Sequence, residues 1–315
     1  MLHRFRNRDR NVEGHDPAVL MKVLSSLRRE GYQLLAISEL IRRLTGEGAP
    51  LRRAVAFTLD DGYEDQATVA APLFASFDCP ATIFVTTGFL DGDIWLWWDQ
   101  LEYIIRKTDR DKVQIHPDGV PVEHVLSNLA EKEYAYQDLT ARCKTRSSPQ
   151  CQRLITLLAE AAGVELPSQP PPQYQPMSWD QVRASERMGL EFGAHSVTHP
   201  VLTRTSDEQC RREIECSWQR LKAEAATPVP VFAYPNGTKG DYGPREIQLL
   251  REVGFSGALT AMPGYAKRLT AADKDNKSLF ILPRFSYPDD LAQTLSYAAG
   301  IERLRQLARR AAPAI

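Results

Sequence analysis

Ala54-Val55-Ala56-Phe57-Thr58-Leu59-Asp60-Asp61-Gly62 is the stretch from which the architecture can be read. Its first six residues read as an apolar β-strand, and an apolar-periodic helix pattern follows near 65–77. Between them stand two adjacent carboxylates and a glycine. The same alternation recurs outward from this segment. Strands are expected at 32–37, 81–85, 190–194, 229–233, 254–259 and 279–282, and helices at 178–189, 206–226, 243–253 and 288–299. Ser38 reads as the cap of a short helix through Leu44. Ser178 with Gln181, and Ser206 with Gln209, have capping-box spacing. Alternating strands and helices imply an α/β fold with a parallel sheet, open or closed into a barrel.

Residues 91–176 break this rhythm. They are rich in helical patterns, carry Trp95-Leu96-Trp97-Trp98, and end in a proline-rich run over 167–176. The expectation is one domain over 1–315 with 91–176 as a helical insertion, the prolines forming a stiff return segment.

The chain's 315 residues can bury a full core, whether as one large α/β domain or two ordinary ones. Thirty-nine basic residues against forty acidic ones leave a net charge of −1, which lacks the basic field of a nucleic-acid binder. No window approaches the roughly 18 apolar residues of a transmembrane helix. The basic N-terminus is not followed by the apolar run of a signal peptide, and five cysteines include no C-x-x-C pair. Reduced thiols and a cytoplasmic location are therefore expected. The pattern of 301–310 is a basic amphipathic helix, read as docked on the domain in preference to a membrane surface.

Three signals carry chemistry, each at a predicted strand end. Asp60 and Asp61 are costly side by side unless something positive binds them, and a turn at Gly62 lets both point at one place. His195-Ser196-Val197-Thr198-His199-Pro200 offers two imidazoles four apart, and Pro200 disfavours helical geometry at His199. One carboxylate with two imidazoles is a three-ligand set with an open position, as in a catalytic divalent metal site, and leaves the other carboxylate as a base. Phe232-Ala233-Tyr234-Pro235-Asn236-Gly237 ends in a turn that can present backbone N–H groups to an oxyanion. Singly, each also has an ordinary reading: a turn Asp pair, solvated histidines, a common turn. Serine hydrolysis is disfavoured because Gly254-Phe255-Ser256-Gly257-Ala258 misses G-x-S-x-G at its last position. No phosphate loop or dinucleotide fingerprint occurs.

Together the motifs resemble the metal-dependent polysaccharide deacetylases of carbohydrate esterase family four. The family's T-F-D-D-G is T-L-D-D-G at 58–62, its H-[S/T]-x-x-H is H-S-V-T-H at 195–199, and F-A-Y-P-N-G at 232–237 looks like the third motif of exopolysaccharide-type members. The resemblance implies a distorted (β/α) barrel with fewer than eight repeats, and hydrolysis of N-acetyl groups on an amino-sugar substrate. It implies a divalent metal, zinc first with cobalt, nickel or manganese as alternatives, held by Asp61, His195 and His199. Asp60 would be the base, and the Asn236 N–H would serve the oxyanion. Tyr63, Tyr234 and Pro235, beside these motifs, are expected to contact substrate.

Two positions depart from the family pattern. The Arg of the third motif is Ala233, and the late L-x-x-H motif with its acid histidine has no equivalent. Arg284, just past the expected 279–282 strand, is the candidate to supply a guanidinium to Asp60. Trp97 and Trp98 are either a sugar-stacking platform or the anchor of the insertion. The competing functional readings are a catalytically weak relative that binds carbohydrate or a partner, and a hydrolase of a non-sugar amide.

Overall fold

A computed structural model of the chain describes residues 1–269, 273 and 276–302. Helix α1 (Pro17–Arg29) starts at Asp16, whose side chain accepts the Ala18 N–H. A two-stranded pair, β1 (Gln33–Leu34) with β2 (Ala54–Val55), brackets α2 (Ile37–Leu44). Next come β3 (Thr58–Asp61), a π-helical segment over Gln66–Ala70, α3 (Ala71–Ala75), β4 (Thr82–Val85) and α4 (Thr87–Leu90). Residues 91–176 hold α5 (Trp97–Lys107), β5 (Lys112–Ile115), β6 (Val122–Val125), α6 (Leu129–Lys144) and α7 (Ser148–Ala162). The chain continues through α8 (Trp179–Arg187), β7 (Glu191–Ala194), α9 (Asp207–Glu224), β8 (Val231–Ala233), α10 (Pro244–Val253), β9 (Gly257–Leu259) and α11 (Leu291–Ala298).

Five parallel strands pair in the order β3-β4-β7-β8-β9 and curl into a half-barrel surrounded by helices. Close approach inside the curl is enforced at Gly193, where a Cβ would sit 2.5 Å from the Phe84 ring and 2.6 Å from the Val231 carbonyl. The two sheet edges are bridged by single residues. Leu2 pairs in parallel with Leu59, Leu282 pairs in parallel with Leu259, and the Tyr287 N–H donates to the Met1 carbonyl. The N-terminal segment thus spans the gap that missing repeats leave. Phe84, Phe192, Phe232 and Leu59 are fully buried in the core that fills the curl.

Several elements differ from expectation, for identifiable reasons. The apolar run 279–282 is not a strand: 3₁₀ geometry covers Lys277–Ile281 and only Leu282 reaches the sheet. The 32–37 run pairs over two residues, and 54–59 splits into β2 and β3. Ser38 does not cap α2, which begins one residue earlier; its hydroxyl instead donates to Glu191. The capping box at Ser178 and Gln181 is present. Within 91–176 an antiparallel hairpin, β5 with β6, accompanies the helices. Lys-Val-Gln-Ile and Val-Glu-His-Val each alternate buried and exposed positions, a period-2 signal too short to stand out among helical patterns. A second buried cluster is drawn from residues 101–162, including Leu139, Leu154, Ile155 and Leu158. Among the described residues no helix is long and apolar enough to cross a membrane. Most of the 301–310 pattern lies outside the described residues.

Candidate active site

Strand β3 delivers Asp60 and Asp61 to the C-terminal end of the sheet. Side chains alternate along a strand, so neighbours should face opposite ways. Asp61 escapes this by adopting φ +83°, with Gly62 at φ +92° behind it, and both carboxylates then line one cavity. Ser196 (φ +66°), His199 (φ +56°) and Asn236 (φ +57°) are also left-handed. Such backbone costs about 1–3 kcal/mol per residue and persists only where surroundings enforce it.

The surroundings of the histidine loop are explicit. Glu213 of α9 is buried, and its carboxylate accepts the Val197 and Thr198 N–H groups, both at 2.8 Å, and the Thr198 hydroxyl at 2.6 Å. The Ser196 hydroxyl accepts the His199 N–H at 3.0 Å. The first residues of α4, Thr87 and Gly88, donate their N–H groups to the carbonyls of Ser196 and Val197. These bonds point both rings inward.

Asp61, His195 and His199 present one ligand atom each within 4.8 Å of one another. His195 Nδ1 lies 2.7 Å from the Ala233 carbonyl, which fixes its proton there and leaves Nε2 as the lone pair. The Nε2 atoms of His195 and His199 stand 3.6 and 3.7 Å from Asp61 Oδ1. Burial, then the charges of Asp60 and Asp99, push Asp61 well above the usual carboxylate range. Burial also drives both imidazoles down, His199 further through its neighbour His195. Two neutral imidazoles aimed at one buried carboxylate form a donor set short of positive charge, and a divalent cation fits it.

Asp60 is held differently. Arg284 grips it with two bonds, Nη1 to Oδ1 at 2.7 Å and Nη2 to Oδ2 at 2.8 Å. Arg284 is itself fixed by the Thr260 carbonyl at 3.0 Å and the Thr58 hydroxyl at 3.1 Å. Burial opposes the charge on Asp60, but Arg284, followed by His195, outweighs it and holds the carboxyl well below the usual range. Although 279–282 is not a strand, the bridge at Leu282 carries Arg284 to the site.

The Asn236 N–H makes no backbone hydrogen bond among the described residues, and Asn236 lines the cavity. Tyr63, Trp97, Trp98 and Tyr234 also line it, whereas Pro235 is buried and does not. The Tyr234 hydroxyl points away, donating to the Phe280 carbonyl at 3.1 Å. Tyr63 donates to Asp99 and accepts from Trp98 Nε1, both at 2.8 Å.

Three site residues escaped the sequence reading. His3, beside the Leu2–Leu59 bridge, lines the cavity, and burial lowers it to about 4 against the pull of Asp60. A lone pairing residue gives no periodic signal. Glu213 was detectable as an acid sharing the helix face of Cys210, Ile214 and Leu221. Asp99 likewise sits on the buried face of α5.

Residues 47–258 match the model of the family "Polysaccharide deacetylase". The chain belongs to the polysaccharide deacetylase family. No curated protein matches it. Among solved structures, it is similar to the Streptococcus pyogenes deacetylase PplD in complex with acetate: 18% identity, TM-score 0.58, covering 93% of this chain and 94% of that one. The deacetylase domain of BpsB from Bordetella bronchiseptica is 17% identical, with TM-score 0.53 and coverage of 90% and 93%. IcaB from Ammonifex degensii is 18% identical, with TM-score 0.54 and coverage of 94% of each chain. These likenesses establish the distorted (β/α) barrel fold.

Proposed function

We propose that this chain is a metal-dependent deacetylase hydrolysing N-acetyl groups on an amino sugar in a glycan or glycan precursor. One observation carries the reading: a donor set of Asp61, His195 and His199 stands beside a second carboxylate, Asp60, kept ionised by a bidentate Arg284. A carbohydrate-binding module needs neither, and burying both costs stability. Zinc is the metal of choice for one carboxylate and two imidazoles with room for a further ligand. A bound divalent ion supplies Lewis acidity to the acetamide and the attacking water.

The remaining work falls to the chain. Asp60, aimed by Arg284, takes the proton of the attacking water. The Asn236 N–H, without a backbone acceptor, meets the acetamide oxygen as charge develops there. Asp60, once it holds that proton, is placed to pass it to the leaving amine, while His3, lowered to about 4 by burial, lines the cavity beside it as a neutral imidazole. Residues 91–176 are proposed as an insertion into a single domain spanning 1–315, supported by their separate buried cluster.

Acetate release from N-acetylated oligosaccharides tests the reading. Release should require added Zn²⁺ or Co²⁺, stop with chelator, and be lost in Asp60→Asn while bound metal persists. Metal-loaded protein that releases no acetate from any N-acetylated sugar would leave the binding-protein reading in its place.

A further inference from the structure

Two cavities meet at the candidate active site. The first, about 680 Å³, covers Asp60, Asp61 and both histidines; the second, about 650 Å³, continues between the 93–97 segment and 198–201. They share Trp97, Lys144, His199 and Asn236 as a common wall. Each is of the size that takes a drug-sized ligand. Open space therefore lies on both sides of the reacting position. A chain bound through its middle fills both cavities, while a single sugar on a carrier fills one.

The charged groups lining the first cavity are unequally partnered. Its carboxylates are mostly engaged: Asp60 by Arg284, Asp99 by Tyr63, Glu102 by Arg106 and Asp241 by Thr238. Asp61 belongs to the donor set. Arg4 is bound to Asp65. The exposed side chains of Lys144, Arg204 and Lys239 have no hydrogen-bond or ion-pair partner among the described residues, and Glu13 is the one lining acid equally without one. Lys144 ends α6 on the common wall, Arg204 follows the histidine loop, and Lys239 follows the Asn236 turn. Three cations from three separate elements thus edge the cavity with no acid bound to them, and each is free to pair with an anionic group of a ligand.

Resting on the deacetylase reading, we infer that the substrate is an anionic glycan chain. It crosses both cavities with its acetylated unit at the common wall, and its carboxylates or phosphates meet Lys144, Arg204 and Lys239. Trp97, facing both cavities, offers a ring on which a sugar can lie.

The test compares N-acetylated oligosaccharides of matched length that are neutral, uronate-bearing or phosphate-bearing, together with the monosaccharide. Binding is measured by calorimetry on metal-free protein, and acetate release on zinc-loaded protein. An anionic octamer should bind more tightly than its neutral counterpart, lose that advantage at high salt, and outperform the monosaccharide. The two anionic series show which group is recognised. An exposed ion pair is worth a factor of about two to five. The triple variant Lys144→Ala, Arg204→Ala, Lys239→Ala should therefore raise the ratio of anionic to neutral Kd roughly tenfold or more. An unchanged ratio, or equal performance by monosaccharide and octamer, overturns the inference while acetate release still upholds the deacetylase. Selective anionic binding without any acetate release does the reverse.

Discussion

The strand ends of the barrel and the 91–176 region furnish opposite walls of the same cavity, and they are built on different terms. On the barrel side, charge is buried, backbone is strained at Asp61, Ser196, His199 and Asn236, and the histidine loop is tied down by Glu213 and by the start of α4. On the other side, a separate apolar cluster supports α5, α6 and a hairpin, and the charges mostly sit in exposed or half-buried pairs such as Lys112–Glu123 and Arg142–Asp138. Strained, desolvated groups are where chemistry is held; a separately packed wall can vary without disturbing them. On the proposed function, the comparison amounts to a division of labour: the barrel would hold the reaction, and the 91–176 region would share with the barrel loops in selecting what reaches it.

Removing a ligand should break that division most severely. In His199→Ala the donor set loses one of three atoms, so metal content by elemental analysis and kcat/KM should fall together, the latter by roughly a thousandfold, equivalent to about 4 kcal/mol. Full metal occupancy in this variant would remove His199 from the set. Arg284→Met attacks the other half of the site. Misplacement of a reacting group by about an ångström costs on the order of a hundredfold in rate. Metal should stay bound while kcat falls by that order. Burial of Asp60 would then be opposed mainly by His195, so its carboxyl should rise and the acidic limb of the pH–rate profile should move toward neutrality. A profile identical to wild type would show that Arg284 does not set the state of Asp60.

The sequence disclosed the barrel's chemistry better than its geometry. Asp60, Asp61, His195 and His199 were legible because each pair stands at the end of an apolar run, where carboxylates and imidazoles need a reason to be. Arg284 was legible only through the resemblance, whose third-motif Arg is Ala233 here. Its supporting strand does not form, because only Leu282 of 279–282 reaches β9. Tertiary bonds decided the rest. His3 depends on an N-terminal segment whose pairing is one residue wide, and Glu213 is bound to backbone that only a folded loop presents. The β5–β6 hairpin was lost because four-residue alternations are ambiguous beside helices.

Asp99 lies where the two walls join, and it gives a smaller effect of defined sign. Burial raises its carboxyl to about 8, partly resisted by Arg4 and by the Tyr63 hydroxyl. Unfolded, it titrates near 3.9. Between those values the folded chain holds a proton that the unfolded chain has released, so stability present below about pH 4 is lost as pH rises through about 8. Asp99→Asn keeps an acceptor for Tyr63 and removes the titration. Thermal melts should show the variant gaining on wild type from pH 5 to pH 8, by about 2 kcal/mol after allowing for relaxation around a buried charge. Parallel pH dependence in both proteins would mean that Asp99 is ionised throughout.

The finest cut falls between Trp97 and Trp98, adjacent residues in the first turn of α5. Trp98 belongs to the barrel by its bonds: its Nε1–H donates to Tyr63 and its ring meets His199 edge-on, with centroids 4.6 Å apart. Trp98→Ala strips the Tyr63 hydroxyl of its donor and should cost roughly 1–3 kcal/mol of stability, seen as a lower Tm. Trp97 lines both cavities and makes no side-chain hydrogen bond among the described residues. Aromatic contacts of this kind contribute about 0.5–1.5 kcal/mol beyond area. Trp97→Ala should therefore change KM between two glycans by several-fold while Tm moves little. If the two variants exchanged these behaviours, the boundary between reaction wall and selection wall would lie one residue away from where their contacts draw it.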